Sequence, residues 1–348
     1  MIVYRAPWGS VLLSAGFNCT IALLGSKFNR APSGARSGVC YIPALGRMAT
    51  KLVSKCGLTL ARSSALARWP WLVHAFSTRV GGQSRGACRG LNLGFVESDT
   101  RKNVEQNRSS FFEALGAPSF ALADLKQTHS THIFHIVRGD AGEVRYIPAG
   151  SSEPLPSGGK APSGDALVTS QSGMLLSIRT ADCHPILLVD SRQRVIAAVH
   201  AGWRGTLARI AEKTVGVMRA AFGSNPGNLT AAIGPGIQAC CYAVGEEVVA
   251  AFHGRFERSE QFFKPVPVDQ EAAALAAKYP NVFLSPFPPG HAPMAQAAAH
   301  LDIGAALRHQ LVDAGLTPSM IHTSNLCTAC RTDLFFSHRK EGSRTGRM

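Results

Sequence analysis

Residues 180–205 read "TADCHPILLVDSRQRVIAAVHAGWRG". Two short apolar runs, "PILLVD" and "RVIAAV", flank the polar "SRQR", and turn-type residues bound the outer ends. Runs this short between such boundaries predict a β-hairpin. If Asp190 pairs with Val195 across the turn, His200 falls opposite Pro185 and Cys183 opposite Gly202. Cys183 and His200 then lie on one face as diagonal neighbours, with Cα atoms about 7 Å apart and side chains within reach of each other.

A thiolate and an imidazole so placed can share one Zn²⁺, through bonds of about 2.3 and 2.0 Å. They can equally form a nucleophile–base pair. A zinc site needs a third ligand, and "QTHSTHIFH" (127–135) offers His129, His132 and His135. "DLKQTHSTHIFHIV" alternates and reads as a strand, in which His129 and His135 share a face and His132 points away. Three protein ligands with one open position describe a catalytic zinc. The plainer reading makes Cys183 and His200 ordinary core residues. Against it, both stand at strand ends beside turn residues, where active sites collect. Gly202 and Gly205 flank Arg204 where a loop opens into a helix, an arrangement suited to an anion. "CTAC" (Cys327, Cys330) is a lone pair, and Cys240–Cys241 is adjacent rather than spaced; these read as buried thiols.

The surrounding chain predicts an α/β fold with mixed α+β character: one domain of mixed β-sheet flanked by helices. "WLVHAFSTR" reads as a strand. "TRKNVEQNRSSFFEALGA" reads as a helix with Val104, Phe111, Phe112 and Leu115 on its apolar side and Gly116 as terminator. Residues 138–165, rich in Pro, Gly and Ser, read as a long surface loop. "GTLARIAEKTVGVMRAAFG" reads as one helix ending at Gly223, "LTAAIGPGI" as a buried strand, and "AHLDIGAALRHQLVDAGL" as another amphipathic helix.

At 348 residues, 45% hydrophobic and 17% charged, the chain is long and apolar enough for a sizeable core. Nine Cys are too sparse for a disulfide scaffold and fit a reducing compartment. The formal charge of +14 suggests nucleic acid, but its distribution argues otherwise. No Asp or Glu precedes Glu97, so much of the excess sits in the N-terminal part, and no dense basic run with interleaved aromatics follows. Residues 1–65 are basic, acid-free and Ser/Gly-rich. They predict a disordered extension, either an organellar transit segment or sequence upstream of a true start at Met48. The domain is then residues 66–348. The run "SVLLSAGFNCTIALLG" is too short and broken to span a membrane. Together these features predict a cytoplasmic protein, or an organellar one if residues 1–47 are a transit peptide, with no nucleic-acid, membrane or obligate protein partner.

"FSTRVGGQSRGACRGLNLG", "TADCHPILL", "AVHAGWRGT", "AAIGPGIQACCYAVGEEV" and "FFSHRKEGSRTGRM" occur in that order between residues 76 and 348. They resemble the polyphenol oxidase (laccase) domain family, whose members are described as purine nucleoside phosphorylases with adenosine deaminase side activity. The resemblance implies a fold similar to the catalytic domain of a cytotoxic necrotizing factor. It also implies a zinc held by His129, Cys183 and His200, with His132 competing for the first place. Arg79 and Asn92 are carried over as pocket residues, with Arg204 beside them.

The implied chemistry is phosphorolysis of purine nucleosides (adenosine, inosine, guanosine, methylthioadenosine) by phosphate. Arg79 and Arg204 would hold the anion, and Asp182 is a candidate for proton handling or simply a turn cap. Two alternatives stay open. A copper-dependent phenol oxidase would suit a His₂Cys set, but none of the twelve His forms the H-x-H pairs such enzymes use, which leaves copper as an in-vitro occupant. A metal-free hydrolase would use Cys183 as nucleophile and His200 as base.

Overall fold

The computed structural model describes residues 2–5, 50–156, 158–266, 278 and 298–348. Within them the opening stretch forms the expected hairpin, β10 (His184–Asp190) and β11 (Val195–Ala201), strands being numbered in chain order. Asp190 pairs with Val195 and Pro185 with His200, and the ladder ends at His184 and Ala201. The Asp190 carboxylate closes the turn by accepting from the N–H groups of Arg192 and Gln193 at 2.9 and 3.0 Å.

The hairpin sits inside a seven-stranded sheet. Its order is β16 (Ile321–Thr323), β12 (Leu229–Ile233), β10, β11, β8 (Ala166–Thr169), β6 (Ile133–Arg138) and β7 (Val144–Pro148). A second sheet has six strands: β2 (Thr50–Lys55), β3 (Leu58–Ser63), β4 (Leu72–Ser77), β1 (Ile2–Arg5), β9 (Met174–Ser177) and β5 (Ala121–Ala123). Three short strands, β13 (Ala243–Val244), β15 (Ala299–Leu301) and β14 (Phe263–Lys264), form a third. Both large sheets are mixed, because β12–β16, β6–β8 and β5–β9 run parallel among antiparallel neighbours.

The unbroken apolar runs of β10 and β11 follow from burial on both faces. Ile186, Leu188, Ala197 and Val199 pack against helices α3 (Ile210–Phe222), α4 (Glu246–His253) and α5 (Ile303–Asp313). Leu187, Val189, Ile196 and Ala198 pack against Phe76, Met174 and Leu176 of the second sheet. The far face of that sheet, including Leu60 and Leu175, is covered by α1 (Arg101–Leu115) through Phe111 and Ala114. The result is four layers: helices, sheet, sheet, helix. Truncating a fully buried hairpin residue such as Leu188 to Ala would cost about 2–5 kcal/mol.

Helix α1 has the expected bounds, with Thr100 capping the Asn103 N–H and Gly116 ending it in a left-handed conformation. Three local expectations are corrected. Residues 50–65 are not an extension, because β2 and β3 form a hairpin on the second sheet, to which residues 2–5 also add a strand. Residues 6–49 lie outside the described residues. The segment 138–165 contains β7, whose polar outer edge hid its pairing with β6. The helix expected after Gly205 is two helices, α2 (Trp203–Leu207) and α3, split at Arg209 with φ 62°. Arg209 holds that left-handed turn through ion pairs to Glu212 and Asp313. Among the described residues no helix is long and apolar enough to cross a membrane.

Candidate active site

The parity of the hairpin decides what reaches the site. Cys183 and His200 share the face that looks toward the second sheet, at the open end of the hairpin, while His184 takes the opposite face. Across the mouth lies the segment 128–132. It is not a strand as expected: β6 starts only at Ile133, and His129 adopts a left-handed backbone with φ 59°.

Asp165, immediately before β8 and fully buried, explains that turn. Its carboxylate accepts from the backbone N–H groups of Thr128, His129 and Ser130 at 3.3, 3.1 and 2.6 Å, and from the Ser130 hydroxyl at 2.7 Å. The same carboxylate engages His200 Nδ1 at 2.7 Å. One buried charge thus shapes the His129 turn and fixes the His200 ring with Nε2 outward. Burial disfavours this carboxylate, but its bonds to His200 and Ser130 prevail and hold its pKa near 2.

The ligand atoms of His129, Cys183 and His200 all lie within 4.8 Å of one another. His129 Nε2 stands 3.6 Å from Cys183 Sγ, and the two imidazole rings meet edge to face at 4.9 Å. Bonds of 2.3 and about 2.05 Å at a tetrahedral angle would separate sulfur and nitrogen by about 3.5 Å, so the observed spacing fits one shared ion. Gly202 keeps the space open. A Cβ there would lie 2.9 Å from Cys183 Sγ and 2.7 Å from His129 Cδ2. His132 is exposed and outside the cluster, and the half-buried His135 packs on Phe222.

Electrostatically, Cys183 and His200 form a pair. Burial works against the Cys183 thiolate, yet the His200 charge and the hydrogen bond with His129 outweigh it and bring its pKa to about 6. Burial likewise opposes the His200 cation, but Cys183 and Asp165 raise its pKa to about 9.

The trio lines a cleft of about 570 Å³, whose wall also includes Phe95, Trp203, Tyr242, Arg179, Arg204, Arg339 and Arg347. The Arg204 guanidinium lies over the Trp203 ring at 4.3 Å, and Arg339 lies over Tyr242 at 4.9 Å. Gly205 is buried inside α2 rather than at its mouth, and Gly202 is the residue that opens the helix.

Three other sequence-derived candidates occupy different positions. Arg79 lies in a separate cleft with Gly81–Gly86, where it pairs with Glu341 at 2.6 Å and stacks on Phe336. Asn92 is fully buried and does not line the cleft. Its amide donates to the Gly94 carbonyl and Asp99, and its oxygen accepts from the Gly94 and Arg347 N–H groups. It therefore positions two residues that do line the cleft. Asp182 lines the cleft, but its carboxylate oxygens accept from Thr328 Oγ1 at 2.7 Å and the Arg339 N–H at 2.6 Å. Those bonds hold its left-handed backbone, φ 84°, and so aim Cys183.

Sequence reasoning missed Asp165, Arg179, Arg339 and Arg347. An Asp before an apolar run and arginines scattered over distant segments carry no local signal. It also read Cys240, Cys241, Cys327 and Cys330 as separate buried thiols. They converge within 4.8 Å, and Cys240 and Cys330 are exposed.

The family described as multi-copper polyphenol oxidoreductase laccase matches residues 73–348. The chain belongs to that family. Within it, a purine nucleoside phosphorylase of Deinococcus radiodurans is 34% identical over 293 residues, 84% of this chain and 91% of that one. The adenosine deaminase RL5, from an unknown prokaryotic organism, is 33% identical over 277 residues, 79% and 91% of the two chains. The crystal structure of YlmD from Geobacillus stearothermophilus superposes with a TM-score of 0.59 at 30% identity, over 78% of this chain and 88% of that one.

Proposed function

We propose that this chain is a zinc-dependent purine nucleoside phosphorylase that also deaminates adenosine. Its substrates would be phosphate with adenosine, inosine, guanosine or methylthioadenosine, and it would act in the cytoplasm without an obligate protein partner. The observation that carries the reading is the convergence of His129, Cys183 and His200 at the wall of a cleft flanked by four arginines. The names of the relatives support both reactions.

His129, Cys183 and His200 would hold the zinc, which when bound supplies Lewis acidity toward substrate or water. Asp165 holds the His200 ring and the His129 turn in place for that ion, as outer carboxylates do at histidine–metal sites. A cleft of this volume suits a small molecule. Trp203, Tyr242 and Phe95 give the cleft an aromatic part of its wall, suited to a purine. Arg204, Arg339 and Arg347 place positive charge where phosphate would bind. In phosphorolysis a phosphate oxygen bonds to the ribose C1′, the C1′–N9 bond breaks, and the purine leaves with that electron pair and takes up a proton.

The test is incubation of the purified chain with adenosine, inosine and methylthioadenosine, with and without phosphate, beside Cys183→Ala. Phosphate-dependent release of hypoxanthine from inosine, absent in the variant, supports the proposal. Equal release by the variant would mean a contaminating phosphorylase and would defeat it.

A second reading rests on the hydrogen-bonded series Cys183, His200, Asp165, in which the thiol pKa is drawn down to about 6. That arrangement is also a nucleophile, base and orienting acid. Turnover that survives complete removal of metal and is abolished by alkylation of Cys183 would favour this hydrolase. Oxidase chemistry has less support, because among the described residues the metal-competent groups are this trio and a set of four thiols, with no histidine cluster beside them.

A further inference from the structure

The four thiols lie outside the mechanism. Two come from the loop after β12, where Cys240 and Cys241 precede β13. Two come from the segment after β16, where Cys327 and Cys330 are spaced C-x-x-C. A bridge between Gly236 and Cys327 holds the two segments side by side, and the Thr328 N–H donates to the Gly236 carbonyl at 3.2 Å.

Their Sγ atoms all lie within 4.8 Å of one another, with Cys241 and Cys330 at 3.3 Å and Cys240 and Cys330 at 3.5 Å. A tetrahedron of sulfurs around zinc, with bonds of 2.3 Å, has edges of about 3.8 Å. The set is therefore close to the size of a filled zinc shell. Backbone donors supply an independent sign. The Gln238 N–H points at Cys327 Sγ at 3.4 Å, and backbone N–H groups of Ala329 and Cys330 also bond to that sulfur. Such donors disperse thiolate charge within a C-x-x-C turn.

We propose that Cys240, Cys241, Cys327 and Cys330 bind a second zinc ion as a closed, structural tetrathiolate site that fastens the 236–242 loop to the 327–331 segment. On binding, four S–H bonds break, four Zn–S bonds form and four protons leave to solvent, with no change of oxidation state. A single disulfide would use only two of the four sulfurs. The clamp bears on the cleft, since the first loop carries Ile237 and Tyr242 of its wall, and Thr328 holds Asp182.

The experiment measures zinc per chain by mass spectrometry of the full chain purified with zinc present, for the wild type, Cys183→Ala and Cys330→Ser. The count expected in Cys183→Ala is one zinc, whether or not the active-site reading holds, so the two proposals fail separately. Cys330→Ser should lose that ion, and cobalt substituted into Cys183→Ala should give the charge-transfer absorption of a tetrathiolate. If Cys330→Ser does not fold, alkylation of the wild type decides. Cys240, Cys241, Cys327 and Cys330 should react an order of magnitude more slowly than the exposed Cys56 until a chelator is added. A folded Cys183→Ala protein without zinc, alkylation of the four at the Cys56 rate, or a mapped disulfide among them would overturn the proposal.

Discussion

Replacing Gly202 by alanine adds one methyl group where the three candidate ligands converge. The backbone there has φ −82° and ψ 177°, which any residue adopts, so the substitution strains no dihedral. The effect is purely spatial. The new Cβ would sit 2.7 Å from His129 Cδ2 and 2.9 Å from Cys183 Sγ, whereas carbon atoms settle at about 3.5–4.0 Å. One neighbour must therefore retreat by about 1 Å. His129 is exposed and on a turn, so it yields more readily than the hairpin. Metal–ligand distances tolerate only about 0.2 Å, so a shift of this size removes one of three ligands. A misplacement of about 1 Å at a reacting centre costs about a hundredfold in rate. Zinc content should fall well below that of the wild type, and kcat/KM for inosine phosphorolysis should drop about a hundredfold. Because His129 swings toward solvent, the metal-free variant should unfold within about 3 °C of the metal-free wild type, a change worth about 1 kcal/mol or less in a domain this large. Zinc analysis, calorimetry after chelation and steady-state kinetics test the three parts. Wild-type zinc content and kcat/KM in Gly202→Ala would refute the claim that the three side chains grip one ion beside this glycine.

Asp165→Asn turns a five-bond acceptor into a group with two N–H donors facing donors; zinc affinity should fall about 10–100-fold and stability by about 3–5 kcal/mol, read by chelator competition and urea unfolding. His129→Ala should abolish zinc binding at the trio while His132→Ala leaves it intact, as equilibrium dialysis of Cys330→Ser backgrounds would show; the reverse pattern would move the third ligand. His74, buried in β4, has its pKa pressed to about 3 by burial and by the nearby Arg62 charge. The unfolded chain binds this proton below about pH 6.5, so its contribution is present above that pH and is lost at about 1.4 kcal/mol per unit as pH falls toward 3. Urea titrations at pH 7 and 5 should show a shallower loss in His74→Gln, and identical slopes would contradict the assignment.

The hairpin was legible because its period, its turn and its boundaries are all local, and its register follows from the polar "SRQR" alone. That register put Cys183 and His200 on a common face before any tertiary information was used. His129 was identified from its residue type and spacing, but its backbone was misjudged. The turn depends on a carboxylate 36 residues away in sequence, and no window of periodicity contains both. The same limit hid three of the four arginines of the cleft, Arg179, Arg339 and Arg347, which come from segments far apart in sequence. It also hid the thiol cluster, whose two halves are separated by 89 residues between Cys241 and Cys330. Residues 50–65 were misassigned for a different reason. Their lack of acidic residues resembled the segment before them, while the alternation of β3, with Leu58 and Leu60 buried, spans too few residues to outweigh composition.

The two non-glycine residues with left-handed backbones beside the trio, His129 and Asp182, show how the fold aims its ligands. Each such backbone costs on the order of 1–3 kcal/mol and persists only where its surroundings enforce it. Here the enforcement is of one kind: carboxylates bonded to donors on segments distant in sequence. Asp165 bonds to the N–H groups of residues 128–130, and Asp182 to the Arg339 N–H and the Thr328 hydroxyl. Asp165 is anchored at the start of β8, within the core sheet, so its half of the site is as rigid as that sheet. Asp182 is anchored to the C-terminal segments, one of which begins at the C-x-x-C turn. Loosening Cys327–Cys330 should therefore disturb Cys183 before it disturbs His129 or His200. The order in which the ligands lose their places is thus set by which carboxylate rests on a strand and which on a loop.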